Sequence, residues 1–199
     1  TQTTSTVNVQ RMAPVPGPGN GSTESVPGVC QAAVGGLAPL VFNPSGCNGG
    51  ITTSTYTITG ATTRTGSGNA DGIFLKGVST VKYTVTDPGG NVASCTFTVT
   101  VNDNQAPVVT CVGTQTRSTI IGTCAYTATG TEFNPTVATD NCLATLTYTV
   151  SGATTATTTT STTLAGVSFN KGATLVTWKN TDAAGNSSTC SFTVNIVDQ

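Results

Sequence analysis

The stretch Val81–Asp103, VKYTVTDPGGNVASCTFTVTVND, decides the fold. Val81, Tyr83 and Val85 alternate with Lys82, Thr84 and Thr86. Further on, Cys95, Phe97, Val99 and Val101 alternate with Thr96, Thr98 and Thr100. A period of two places each set on one face of a half-buried strand. Between the runs, Asp87-Pro88-Gly89-Gly90-Asn91 carries the residues of a turn, in which Asp bonds its own backbone and Gly supplies positive φ. The stretch reads as a β-hairpin with an apolar inner face. Threonine on the outer face supplies β-branching without a sticky surface.

The hairpin occurs twice. Shifted by 95 positions, Val81–Asp103 falls on Val176–Asp198, VTWKNTDAAGNSSTCSFTVNIVD. Upstream, Thr55–Thr65 (TYTITGATTRT) and Thr147–Thr157 (TYTVSGATTAT) are identical at eight of eleven positions. Phe42-Asn43-Pro44 matches Phe133-Asn134-Pro135, and Lys76-Gly77 matches Lys171-Gly172. Ala13-Pro14-Val15 likewise matches Ala106-Pro107-Val108. A fixed period of this length is the mark of tandem modules. The expected division is residues 1–12, a strand-like segment or the end of a preceding module, then modules over 13–104 and 105–199. Thr6-Val7-Asn8-Val9 imitates the closing strand Thr98-Val99-Thr100-Val101. Such a strand either ends a preceding module or inserts into a neighbouring subunit by β-strand addition. Sustained helical periodicity is absent, and about seven short strands in a module of this length imply an all-β chain of two tandem immunoglobulin-like β-sandwich modules.

Composition narrows the function. Seven basic and eight acidic residues give a net charge of -1, and charged residues are only 8% of the 199. No basic stripe exists to neutralise phosphates, so nucleic acid is excluded as an electrostatic partner. No apolar run reaches the roughly 18–20 residues of a membrane-spanning helix. Polarity comes instead from 45 Thr, 15 Ser and 14 Asn, with 23 Gly. Histidine is absent, which removes the commonest general base and the usual zinc ligand. The eight acidic residues form no acid/base pair by spacing, and no phosphate-binding glycine loop occurs. The chain does not read as an enzyme. Seven cysteines without a Cys-x-x-Cys pair point to disulfides and an oxidising, extracellular location at the cell surface.

With the spacing in hand, the order Ala-Pro-Val-x-x-Cys, Gly-x-Cys, Asp-Asn-Cys, Lys-Gly and Thr-Asp-x-x-Gly-Asn-x-x-x-Cys-x-Phe-Thr-Val resembles the hyalin repeat, an immunoglobulin-like module of extracellular and cell-surface proteins. The second copy carries it at Ala106, Pro107, Cys111, Gly122, Cys124, Asp140, Asn141, Cys142, Lys171, Gly172, Asp182, Gly185, Asn186, Cys190 and Phe192. The first copy departs from it, with Pro18 in place of the first Cys and Ser45-Gly46 before Cys47. The resemblance implies roles in adhesion and spacing and names no ligand. The leading expectation is a stalk or filament segment of an adhesin whose partners are neighbouring modules or subunits. The other is a module that binds a host or surface glycan or protein.

Cys30, Cys47 and Cys95 correspond to Cys124, Cys142 and Cys190, while Cys111 has no counterpart. If the missing cysteine leaves one partner idle, the most economical scheme pairs Cys30 with Cys47, Cys124 with Cys142 and Cys111 with Cys190. Cys95 is then a free thiol, on the inner face beside Phe97. The junction Asn102-Asp103-Asn104-Gln105-Ala106-Pro107 resembles the calcium-binding linker of cadherins. Asn102, Asp103 and Asn104, joined by Asp140 and Asn141, offer the oxygens that calcium requires. Otherwise they form an Asx-rich extended linker. Trp178, whose counterpart is Tyr83, is read as core rather than as a sugar platform. Asn20-Gly21-Ser22 and Asn186-Ser187-Ser188 are glycosylation sequons, and the Thr154–Thr163 run is an O-glycan carrier or a solvated strand and loop.

Overall fold

The computed structural model describes residues 21–24, 29–38, 53–86, 90 and 92–199. Residues 1–12, Phe42-Asn43-Pro44, Cys47, Asp87–Gly89 and Asn91 lie outside the described residues, and with them the N-terminal strand and most of the first hairpin's turn. The chain divides into two compact units that change over between Asp103 and Asn104.

In the first unit the strands are β1 (Gly21–Glu24), β2 (Gln31–Val34), β3 (Thr53–Gly60), β4 (Arg64–Ser67), β5 (Gly72–Leu75), β6 (Gly77–Thr86) and β7 (Val92–Asn102). A five-stranded sheet runs β1-β7-β6-β3-β4, with β1 parallel to β7 and the others antiparallel, and β2 pairs with β5 in a second sheet. The β6–β7 hairpin pairs Val81 with Phe97 and Tyr83 with Cys95. Ile58, Val81, Tyr83, Phe97, Val99 and Val101 are buried together with Ala32 and Phe74 of the smaller sheet. The alternation read in Val81–Val101 is therefore the inner face of a sandwich.

The second unit repeats the plan. Its strands are β8 (Val108–Thr110), β9 (Gln115–Ser118), β10 (Ala125–Thr127), β11 (Val137–Thr139), β12 (Ala144–Gly152), β13 (Ala156–Thr160), β14 (Ser168–Asn170), β15 (Gly172–Asp182) and β16 (Ser187–Val197). The large sheet runs β13-β12-β15-β16-β9, with β9 parallel to β16, opposite the pairs β10-β14 and β8-β11. Trp178 is fully buried, its ring edge-on to Tyr148 at 5.2 Å and its Nε1–H donated to the Phe133 carbonyl at 3.1 Å. Tyr83 plays the same part in the first unit, donating its hydroxyl to the Leu37 carbonyl at 2.8 Å and accepting from Ala70 N. Both aromatic positions are core, as the sequence suggests. Burying a large side chain of this kind stabilises a small sandwich by about 1.5–3 kcal/mol.

The near-identical segment Gly-Ala-Thr-Thr has a physical reason. Gly60 and Gly152 take φ of +99° and +110°, and a Cβ on either would lie 2.5 Å from the carbonyl oxygen of Val78 or Ala173. Only glycine fits there. Two residues later, Thr62 N donates to Ser79 Oγ and Thr154 N donates to Thr174 Oγ1, at 3.0 and 3.1 Å. The threonine hydroxyls accept from Leu75 N in the first unit and Asn170 N in the second, at 2.8 and 2.7 Å. Each segment latches the large sheet to the strand across the core.

Candidate functional site

The strand registers give each unit two ends. At the end where β7 and β16 finish, called here the exit pole, Gly77 pairs with Val101 and Gly172 with Ile196. One constellation stands at both exit poles. Lys76 N donates to the Cys30 carbonyl and Lys171 N to the Cys124 carbonyl, at 3.1 and 2.9 Å. The same lysines reach the carboxylate that follows the last strand, Lys76 to Asp103 at 3.3 Å and Lys171 to Asp198 at 2.5 Å. Lys-Gly thus closes the strand end: the lysine holds both the cysteine-bearing entrance to the small sheet and the final acid, and Gly77 and Gly172 follow at φ of +114° and +118°.

The opposite end, the entry pole, is seen in the second unit. Ala144 pairs with Asp182, and the turn from Asp182 to Asn186 joins β15 to β16. Asp182 is buried and accepts from Ala184 N, Asn186 N and Asn186 Nδ2 at 2.8–2.9 Å. Burial pushes its carboxyl up, but these donors outweigh burial and hold it below the usual range. Asp182 is thus the turn-former that the sequence suggests. Asp140 caps its own turn by accepting from Cys142 N at 3.0 Å. A carboxylate oxygen of Asp140 lies within 4.8 Å of one of Asp182. Among the residues offered as calcium ligands, Asn102 ends β7, Asn104 and Asn141 are respectively exposed and half-buried, and Asp103 is buried on the Lys76 ammonium. Lys76 already supplies a positive charge to Asp103.

The cysteines separate into three kinds. Cys111 and Cys190 form a disulfide with Cα atoms 5.6 Å apart, tying the end of β8 to the middle of β16 against the Trp178 core. Cys95, at the position equivalent to Cys190, is a thiol packed on the first core, and its burial pushes the thiol up. A protonated thiol in that setting is inert. Cys30 and Cys142 are both disulfide-bonded, whereas Cys124 is an exposed free thiol. The expected Cys124–Cys142 bridge is therefore not formed. Its failure is geometric: Cys124 sits at the Gly172 end of β15 and Cys142 at the Asp182 end, ten residue steps apart. At about 3.3 Å per residue these ends are about 33 Å apart, whereas bridged Cα atoms lie about 4.4–6.8 Å apart. The expected partner of Cys30, Cys47, lies outside the described residues.

Glu132, which the sequence leaves without a role, organises the second unit. It accepts from Arg117 Nε at 3.0 Å, Tyr126 hydroxyl at 2.8 Å and Thr129 N at 2.8 Å, while the Arg117 guanidinium stacks 5.5 Å over Phe133. Burial raises its carboxyl, and these donors more than offset it, leaving it below the ordinary range. A carboxylate so committed is a brace. An open cleft of about 620 Å³, lined by Val112, Asn134, Thr139, Asp140, Leu143 and Leu146 among others, contains no aromatic ring on which a sugar could stack. Asn186 Nδ2, the atom that would carry an N-glycan, is donated to Asp182. The Thr run forms β13, at the edge of its sheet, and the loop after it.

The sequence profile of the HYR domain matches residues 50–101 and again residues 102–196. Hyalin of Lytechinus variegatus is 38% identical over 156 residues, covering 74% of this chain and 27% of hyalin, so the chain spans about a quarter of that relative's length. Among solved structures, the fibronectin(III)-like modules of Clostridium thermocellum CbhA are similar over 90% of both chains, at 11% identity and a TM-score of 0.34. Human mucin-like protocadherin EC1-2 is similar over 91% of this chain and 96% of its own, at 13% identity and a TM-score of 0.35.

Proposed function

The chain belongs to the HYR-domain family, and from that premise we propose that its two modules form a segment of an extracellular stalk or filament. HYR modules are extracellular, adhesion-type repeats of the cell surface, and the family is in general non-catalytic. This chain fits that character, having no histidine and having Glu132 and Asp182 spent on structural hydrogen bonds. Its partners in this reading are neighbouring modules or subunits.

The observation that carries the reading is the repeated exit pole. Cys, Lys and Asp recur in the same mutual contacts in both units, Cys30, Lys76 and Asp103 in one and Cys124, Lys171 and Asp198 in the other. A joint built twice, at the end from which the chain leaves each module, suits an array. Low charge suits it too, because successive modules do not repel. The alternative, recognition of a glycan or protein through a loop surface, has the second unit's cleft in its favour and the lack of a stacking ring against it.

Single-molecule pulling tests the reading. With the bonds at Cys30 and Cys142 removed by serine substitution, two unfolding events are expected, one per module, and reduction should lengthen the second by about 280 Å, because the 79-residue separation between Cys111 and Cys190 is then released at about 3.5 Å per residue. Saturable glycan binding that is lost when Asn134 and Leu143 are substituted would overturn it in favour of the binding module.

A further inference from the structure

We propose that the cleft of the second unit is a binding site for a primary ammonium carried on an unbranched alkyl stem, with Asn180 and Asp140 holding the charged head and Leu143 and Leu146 the stem. The site goes beyond the stalk reading and does not depend on it.

Strand parity puts an amide where the repeat otherwise holds an apolar side chain. Along β15 the alternate residues Val176, Trp178, Asn180 and Asp182 are buried. Shifted by 95 positions, Asn180 falls on Val85, which is buried at 5% exposure in the first unit. Asn180 is 4% exposed, stands across from Leu146 in the β12–β15 register and lines the cleft. Its side chain makes no hydrogen bond among the described residues. An amide that gives up water and gains no partner destabilises the fold, and Val85 shows that the position does not require one. Such a group, lining an open cleft, is an anchor for a ligand.

Asp140 fixes the sign of the ligand. It lines the same cleft, with Oδ2 accepting from Cys142 N and with Oδ1 accepting no hydrogen bond among the described residues. No Lys or Arg is among the described residues that line the cleft, and Lys179, beside Asn180, is exposed on the other face of β15. A carboxylate only accepts, an amide oxygen accepts as well, and an ammonium only donates. Bonds from an ammonium to a carboxylate are also stronger than those between neutral groups. The remaining wall selects what carries the charge. Val112, Pro135, Leu143 and Leu146 are apolar, and the cleft of about 620 Å³ is open. A calcium ion takes about six to eight oxygens in a close cage, whereas an alkyl stem lies along apolar surface and leaves its charged head at the polar end. A lysine side chain of another protein and a free alkylamine share this chemistry.

The test titrates the full chain with pentylamine and with a terminally blocked Gly-Lys-Gly peptide, read by calorimetry and by the NMR signal of the Asn180 side-chain amide. Saturable binding of at least one probe is expected, with that signal shifting, while pentanoate, the same stem with the opposite charge, should not bind. Tighter binding of the peptide assigns the cleft to a lysine presented by a protein, and tighter binding of pentylamine assigns it to a small amine. Asn180→Val, which installs the first unit's residue, should weaken binding by about tenfold or more while the Trp178-monitored melting temperature holds or rises. Asp140→Asn, which keeps an acceptor for Cys142 N, should weaken it at least as much. No saturable binding of either probe, pentanoate binding as tightly as pentylamine, or affinity unchanged in both variants would overturn the site. So would calcium chloride that binds where neither amine does. The two unfolding events of the pulling experiment are the same in every case, so the site and the stalk fail separately.

Discussion

Replacing both Cys111 and Cys190 by alanine removes the disulfide that ties the end of β8 to the middle of β16 in the second sandwich. Their sequence separation is 79, for which the chain-entropy relation gives about 4.5 kcal/mol at room temperature. Measured values for such bonds fall at about 2–5 kcal/mol, because the reduced denatured chain keeps some structure. Trp178 is the only tryptophan and lies in that core, so its emission follows this module in a urea titration. With a urea slope of about 1 kcal/mol per M for a domain of this size, the midpoint should fall by about 2–5 M. A double variant already unfolded in buffer would be the same result at its limit. A fall below about 1 M, with an unchanged slope, would refute the claim that this loop limits the denatured chain.

Two further substitutions probe the frame. Gly152→Ala should cost about 2 kcal/mol or more, because positive φ and the Ala173 carbonyl both oppose the new methyl. Gly166→Ala, at φ +83° with open space around it, should cost about 1 kcal/mol, and thermal melts that rank the two the other way would contradict the latch. For Glu132 the folded carboxyl lies below its ordinary 4.5, so its contribution is present above that value and lost as pH falls through the folded one. The Trp178-monitored melting temperature should therefore decline on acidification below about pH 4.5, and Glu132→Gln should be less stable than the parent at pH 7 with a shallower acid decline.

Much of this was legible in the residues. Alternation in Val81–Val101 and its copy sets the β6–β7 and β15–β16 hairpins because one face must be buried, and a slip of one residue would expose it. Burial of Tyr83 and Trp178 followed from the same parity. The Gly-Ala-Thr-Thr identity was visible as a repeat, but its cause was not, since the carbonyl that excludes a side chain comes from a strand 18–21 residues away. Disulfide pairing was read from economy of loops, which gives the Cys111–Cys190 bond and the free Cys95 but fails for Cys124 and Cys142. Cys124 and Cys142 are 18 residues apart in sequence, but the intervening chain crosses the core and returns at the other pole. Nearness in sequence does not measure nearness in a sandwich. Glu132 was passed over because its partners, Arg117 and Tyr126, lie on separate strands and carry no shared spacing signal.

Cryo-electron microscopy of the native surface assembly bears most directly on whether these modules are parts of a stalk. The eleven residues of β15 and of β16 span about 36 Å at about 3.3 Å each, and turns at both poles bring a module to about 40 Å. A rod whose density repeats axially at about that length, with sandwiches joined pole to pole, is the expected image. Separate one- or two-module particles without axial periodicity, seated on a glycan or protein surface, would contradict it.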